Sequence, residues 1–305
     1  MMHYHMGWTD AALNPAVVKS GKRIRPLACL ISTAAAGGQW QQALPAAAAI
    51  ELLHNFSLIH DDIEDNSPTR RGRETVWKIW GVEQAINSGD AMFALAHLAM
   101  NNLIEREVDA RIVVQALRRF DETCVRLTQG QHADIDFEAQ DRVAVDEYVT
   151  MITGKTAVLL ALCSELGALI AQTSPKIVQH YHEFGLALGL AFQIIDDILG
   201  IWGDETLTGK STSTDILTRK KTLPVLYGLS QSQELQALYQ NEAPDTTFIT
   251  KVVNLLDDHG AYDFAKQEAL AYSQRALTHL EAIQPQGPAG EALFDLANML
   301  LKRNY

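Results

Sequence analysis

The residues best suited to do chemistry are two aspartate runs, each closing an apolar stretch of helical periodicity and each followed by cations. The first is Asp61-Asp62-Ile63-Glu64-Asp65, which follows the apolar run 51–60 and precedes Arg70-Arg71-Gly72-Arg73. The second is Asp196-Asp197, which follows the run 184–195 and precedes Asp204, Lys210, Lys220 and Lys221. With about 3.6 residues per helical turn, Asp61 and Asp65 fall on one face a turn apart, where like charges repel. A divalent cation relieves that repulsion. Hard carboxylate ligands with Arg and Lys close by suit Mg²⁺ bridged to a phosphorylated ligand. One such cluster reads equally well as a solvated helix end; two, each with cations downstream, are hard to assign to chance.

Helices must carry both clusters. Apolar residues recur at three and four positions through the windows 25–37, 45–60, 81–107, 108–128, 145–172, 175–200, 223–239, 247–259 and 261–283. Alternating strand patterns with hairpin turns are absent, so the fold class expected is all-α. The segments 46–50 and 185–195 are apolar nearly all round, which predicts helices buried at the centre of a large bundle. No polar linker separates two halves, so one domain is expected over 1–305, with 1–20 a flexible or partly ordered segment. Within it, His3-Tyr4-His5 reads as part of a mobile terminus rather than a metal tract. The Gly-, Ser- and Thr-rich run 203–218 reads as a functional loop beside the second cluster.

Composition narrows the partners. The chain has 305 residues, 47% of them apolar, enough for a large core. A formal net charge of −12, with cations confined to short motifs, argues against nucleic acid and fits a compact anion such as diphosphate. Cys29, Cys124 and Cys163 are scattered and odd in number, so buried free thiols are expected rather than disulfides or a thiolate metal site. There is no secretory signal core, and no uncharged apolar run reaches the roughly 18 residues that span a bilayer. A cytoplasmic protein without a transmembrane segment is expected.

Five motifs in order carry a family resemblance from Gly21 to about residue 226. They are Gly-Lys-Arg-Ile-Arg-Pro (21–26), Glu-Leu-Leu-His (51–54), and His-Asp-Asp-Ile-Glu-Asp (60–65) with Arg70-Arg71-Gly72. Then come Gly-Gln-His-Ala-Asp (130–134) with Gly-Lys-Thr (154–156), and Phe-Gln-Ile-Ile-Asp-Asp (192–197) with Thr-Gly-Lys (208–210) and Lys-Lys-Thr-Leu-Pro (220–224). This series resembles the trans-type isoprenyl diphosphate synthases. The resemblance implies an all-α bundle with a central cavity and a homodimer, with the apolar face of 81–100 or of 108–128 as the interface. The implied reaction ionises an allylic diphosphate, adds isopentenyl diphosphate to the carbocation through its double bond, and loses a proton.

Residue roles follow from the same resemblance. Asp61, Asp62, Asp65, Asp196 and Asp197 would form the metal set for about three Mg²⁺ ions shared with substrate phosphates. Of these, Asp61, Asp65 and Asp196 would be direct ligands, while Asp62 and Asp197 orient the shell or bind cations. Arg70, Lys155, Lys210 and Lys220 would grip the allylic diphosphate, and Lys22, Arg25, His54 and Arg71 the isopentenyl diphosphate. Thr156 and Gln193 would lie beside the reacting carbons, with Gln131 and Asp134 near the metal edge. The released diphosphate can take the proton. Small Ser57 leaves room for the growing chain and aromatic Phe56 forms a floor, which points to geranylgeranyl diphosphate. Farnesyl diphosphate follows if Met92 and Phe93 narrow the cavity further.

One position departs from the pattern. In this family the second motif ordinarily carries Asp four residues after Asp196, and here that residue is Gly200, so the site has one carboxylate fewer unless Asp204, two turns beyond Asp196, compensates. Three rival readings fit less well. A class I terpene cyclase needs no isopentenyl site, against Lys22, Arg25, His54 and Arg71. A His-Asp phosphohydrolase needs further ligands around His60-Asp61. A non-catalytic regulatory subunit would lack aspartates of the first cluster, and all are present.

Overall fold

The periodic windows fold as helices, as their alanine and leucine content favours. A computed structural model of the chain describes residues 1–18, 21–140, 142–203, 214–241 and 244–301. Its elements begin with α1 (Met2–His5), α2 (Ile24–Ala35) and α3 (Leu44–Glu64), then the strands β1 (Thr69–Arg70) and β2 (Arg73–Glu74). There follow α4 (Val76–Trp80), α5 (Val82–Asn101), α6 (Ala110–Ala139), α7 (Val145–Ile152), α8 (Val158–Ile170) and α9 (Pro175–Trp202). The C-terminal part holds α10 (Thr214–Leu217), α11 (Leu223–Gln231), α12 (Gln233–Asn241), α13 (Thr246–Asp258), α14 (Ala261–Ile283) and α15 (Gly287–Leu301).

Two compact units arise from these elements. The first comprises Met1–Phe120, Cys163–Val178 and Gln286–Gly290. In it α3 packs along α5 and α2 against α3. Pro45 stands in the first turn of α3, where a missing N–H costs nothing, and Ala46, Ala47, Ala49, Ile50, Leu53 and Ile59 are buried. Beyond α3 the chain reverses through an antiparallel pair with Arg70 opposite Arg73. Its turn residues Arg71 and Gly72 have φ of 54° and 75°, the two left-handed conformations that match the twist of a tight hairpin.

Residues near the N-terminus pack into the first unit. Tyr4 and Met6 are buried in an apolar cluster with Ile59, Val76, Ala85 and Met92. Arg73 donates to the carbonyls of Tyr4 (3.0 Å) and Thr9 (2.9 Å), and its guanidinium lies 3.8 Å from the Tyr4 ring centre. The Tyr4 hydroxyl donates to the Glu74 carbonyl at 2.9 Å. These partners lie more than sixty residues apart in the chain (|i−j| 64 to 70), so no local pattern announces them.

The second unit comprises Asp121–Leu162, Gln179–Pro285 and Glu291–Tyr305. One apolar cluster gathers Tyr148, Met151, Ile152, Ile194, Ile195, Ile198 and Leu223; another gathers Ile216, Val225, Leu235, Phe248, Val252 and Leu256. The stretches Val145–Ile170 and Pro175–Trp202 are long and apolar enough to cross a membrane by composition, yet 67% and 72% of an 18-residue apolar window in each lie buried inside the protein. They are core helices. The three cysteines are buried free thiols, as expected.

Several windows differ in detail. The window 145–172 is broken by a π-helical turn at Thr153–Ala157, and 223–239 divides at Ser232. The helix beginning near 108 runs on to Ala139, past the Gly-Gln-His-Ala-Asp motif. The two-residue strands are too short to leave a periodic signal. Helix α15 lies beyond the last periodic window, and Leu293, Leu296, Ala297 and Leu300 bury one face of it.

Two histidines of the first unit are held neutral. Burial, with Arg71 and Arg70 nearby, pushes His5 down to about 3, and burial with Arg25 holds His54 well below the ordinary imidazole range. The unfolded chain therefore binds more protons than the fold below about pH 6.5. Stability present above that pH is lost as pH falls toward the depressed values. Melting temperature is expected to drop steadily between about pH 7 and about pH 5, and His5→Gln to flatten the slope. A pH-independent melt contradicts this.

Candidate active site

The first aspartate cluster occupies the last turns of α3. Asp61 is half-buried, Asp62 buried and Asp65 exposed, the last at the helix C-cap with its N–H on the Asp61 carbonyl (2.8 Å). Asp62 faces the hairpin, where its Oδ1 accepts from Arg70 Nε at 2.6 Å. Burial raises the Asp62 pKa and Arg70 opposes the rise. Two turns before Asp61 on the same face, His54 Nε2 lies 3.2 Å from Arg25 Nη1. Arginine can only donate, so Nε2 is the acceptor and the imidazole proton resides on Nδ1. Arg71 lies beside Gly21, so the motifs at 21–26, 51–54 and 70–72 converge, with Lys22 exposed at the start of α2.

One turn before Asp61, Ser57 donates to the His54 carbonyl (2.9 Å). Phe56 is packed between His60 (ring centres 4.8 Å apart) and Phe93 (4.9 Å). The column continues from Phe93 to His97 (4.6 Å) and on to Phe120 (5.1 Å). Phe56 is thus packed by rings on two sides, His60 and Phe93.

In the second unit the Gly-Lys-Thr motif forms the π-helical turn, a local widening common at functional sites. Gly130 of α6 abuts the backbone of Gly154 and Lys155 with no room for a side chain. Lys155 ion-pairs with Asp134 of α6, next to the half-buried Gln131. Thr156 Oγ1 donates to Gln193 Oε1 at 3.0 Å, and Gln193 Nε2 donates to Asp197 Oδ1 at 3.1 Å. Asp197 is buried and also accepts from the Tyr148 hydroxyl and from the Leu223 N–H (3.1 Å). Burial pushes its carboxyl up to about 6 against the pull of these donors. Asp196, one residue earlier, is half-buried, and Lys220 is exposed after α10.

Gly200 lies one helical turn beyond Asp196. A Cβ there would stand 2.5 Å from Asp215 Oδ2, so the carboxylate of α10 occupies the space beside Gly200. Asp204, the residue that could compensate, lies outside the described residues, as does Lys210. Tyr148 and Asp215 escaped sequence reasoning, and Lys221 was named only among the cations after the second cluster, without a role. Lys221 donates to the carbonyls of Phe137 and Gln140 and so caps the C-terminal end of α6, a favourable place for a cation. Its only sequence signal is its place beside Lys220.

The donor set fits a hard divalent cation, since both motifs offer carboxylate oxygens. Among the described residues no three His, Cys, Asp or Glu converge as a complete cage.

Residues 7–256 match the model of the polyprenyl synthetase family. The chain belongs to the polyprenyl synthetase family. It is 44% identical over 250 residues to a geranylgeranyl diphosphate synthase of Mycobacterium tuberculosis, covering 81% of this chain and 70% of that one. It is 38% identical over 312 residues to a (2E,6E)-farnesyl diphosphate synthase of Mycobacterium bovis, covering 99% and 85%. Its fold is similar to that of a crystal structure of a polyprenyl synthetase from Streptomyces coelicolor, with TM-score 0.88, 35% identity and coverage of 98% and 90%. A polyprenyl synthase of Caulobacter crescentus, solved with calcium and isoprenyl diphosphate, matches with TM-score 0.80, 30% identity and coverage of 93% and 86%. The resemblance read from five motifs, the all-α fold and the prenyltransferase class are borne out. Polyprenyl synthetases use divalent metal, isopentenyl diphosphate and allylic diphosphates.

Restoring the family aspartate should harm this polyprenyl synthetase. Gly200→Asp forces a side chain and a second charge onto Asp215, an overpacking of about 1–3 kcal/mol. A lower melting temperature and several-fold lower turnover are expected, both partly restored by adding Asp215→Ala. A fully active, equally stable Gly200→Asp enzyme rules this out.

Proposed function

We propose that the chain condenses isopentenyl diphosphate with allylic diphosphates and releases geranylgeranyl diphosphate. The convergence of Arg25, His54 and Arg71 carries the assignment of a second, isopentenyl substrate, which a terpene cyclase would not need. The residues that would hold Mg²⁺ are Asp61 and Asp65 in the first unit and Asp196 in the second; about three ions are proposed. The bound metal supplies Lewis-acid stabilisation of the charge on the departing diphosphate.

The chain's own residues do the rest. Arg70, Lys155, Lys210 and Lys220 present cations to the allylic diphosphate, whose C–O bond breaks with the electron pair leaving on oxygen. Lys155, held by Asp134, and Arg70, held by Asp62, are already oriented before substrate arrives. Lys22, Arg25 and Arg71 hold the isopentenyl diphosphate, and neutral His54 fixes the Arg25 guanidinium without adding charge. The π electrons of the isopentenyl double bond form the new carbon–carbon bond beside Thr156 and Gln193, and a proton then passes to the released diphosphate. Gln131 lines the metal edge. Asp62 and Asp197, buried and hydrogen-bonded within the protein, orient the set rather than ligate.

Product length rests on Phe56. Backed by Phe93, it stops the chain at geranylgeranyl, and Ser57 admits the tail above it. The geranylgeranyl synthase of M. tuberculosis supports this, while the farnesyl synthase relatives and the Phe93 backing keep farnesyl diphosphate as the second reading. The chain is proposed to act as one catalytic domain, cytoplasmic and homodimeric, with the apolar face of 81–100 or of 108–128 as the interface; Leu95 and Leu98 of α5 and Val114 and Val125 of α6 are exposed.

Incubation with isopentenyl diphosphate, an allylic diphosphate and Mg²⁺, followed by product extraction, tests the reading. Twenty-carbon diphosphate is expected; cyclic hydrocarbon or phosphate release without isopentenyl consumption refutes it. Asp61→Ala should lower turnover by several orders of magnitude. Phe56→Ala should release longer products, and unchanged length in a folded Phe56→Ala enzyme moves the floor to Met92 and Phe93.

A further inference from the structure

A chain of hydrogen bonds in the second unit links a tyrosine 49 residues before Asp197 in sequence to the threonine assigned beside the reacting carbons. Asp197 is only 4% exposed, and a carboxylate so buried is stable only when donors surround it. It accepts from Tyr148 and the Leu223 N–H on Oδ2 and from Gln193 on Oδ1. An ionised carboxylate has no hydrogen to give, so the end of the Gln193 amide that faces it must be the NH₂. The amide oxygen is thereby turned the other way, where it meets the Thr156 hydroxyl at 3.0 Å. With its proton committed to Gln193, the Thr156 oxygen keeps its lone pairs for whatever lies on its other side. Tyr148, itself 2% exposed, belongs to α7, immediately before the π-helical turn that contains Thr156.

We infer that Tyr148 is a positioning residue for the prenyl transfer: it fixes Asp197, which selects one orientation of the Gln193 amide, which points the Thr156 oxygen lone pairs at the developing allylic cation. The inference rests on the proposed function. An inverted amide would present NH₂ to Thr156 and turn the hydroxyl proton toward the cation, opposing the charge that forms there. The relay matters only once positive charge develops, so its loss lowers kcat and leaves substrate binding unchanged.

Tyr148→Phe keeps the ring in its apolar cluster and removes only the hydroxyl. Its kcat is expected to fall about tenfold or more, with KM for both diphosphates within about twofold of wild type. Asp197→Asn, which can present NH₂ to Gln193 and release the amide, is expected to give the same kcat-only loss. The two losses should not multiply in the double variant. In a Thr156→Val background, where no hydroxyl remains to orient, Tyr148→Phe should cost less than about twofold. Losses that multiply, that persist in Thr156→Val, or that appear in KM overturn the relay, and Asp197→Asn decides the matter if Tyr148→Phe does not fold. A wild-type chain that does not consume isopentenyl diphosphate refutes the proposed function. A wild-type chain that does, with Tyr148→Phe at wild-type kcat, refutes the relay alone.

Discussion

Each aspartate motif places its second carboxylate where water cannot reach it, and an ionised group in that position must be given donors by the protein. Asp62 receives Arg70, and Asp197 receives Tyr148, Gln193 and the Leu223 N–H. Much of the local architecture answers this demand. The hairpin after α3 exists to bring Arg70 back onto Asp62, and its far strand is tied down through Arg73 by the N-terminal segment. In the second unit the start of α11 delivers a backbone N–H to Asp197. The first aspartates, Asp61 and Asp196, are left half-buried, which suits groups that meet a ligand rather than the core.

Cations obey the same constraint in reverse. Lys155 is engaged by Asp134 and Arg25 by a neutral imidazole, so positive charge is fixed in place without being cancelled altogether. A protonated His54 would repel Arg25, and burial prevents it. The π-helical turn adds a geometric element. It widens the helix at Gly154-Lys155-Thr156, and Gly130 lets α6 come against that backbone. Replacing Gly130 by any larger residue would push the Lys155 backbone off α6.

Asp215 shows how a lost motif residue is accommodated. The carboxylate missing at position 200 has a neighbour from α10 in its place, fifteen residues away in sequence and in contact only because the chain returns there. Once that side chain occupies the space, glycine is the residue that fits.

The sequence alone determined the helical class and the family, and it named the candidate site residues. Periodicity of apolar residues and the order of short charged motifs are local properties, readable without coordinates. The aspartates, Arg70, Arg71, His54, Lys155, Thr156 and Gln193 were legible because each stands in a motif whose chemistry demands it. Only tertiary structure revealed that Arg73 reaches Tyr4, that Asp215 abuts Gly200, and that Tyr148 donates to Asp197. Those facts depend on contacts between residues far apart in the chain, 49 in the case of Tyr148 and Asp197. Such contacts are set by packing and by the hydrogen-bond needs of buried charge, and neither leaves a local pattern in the sequence.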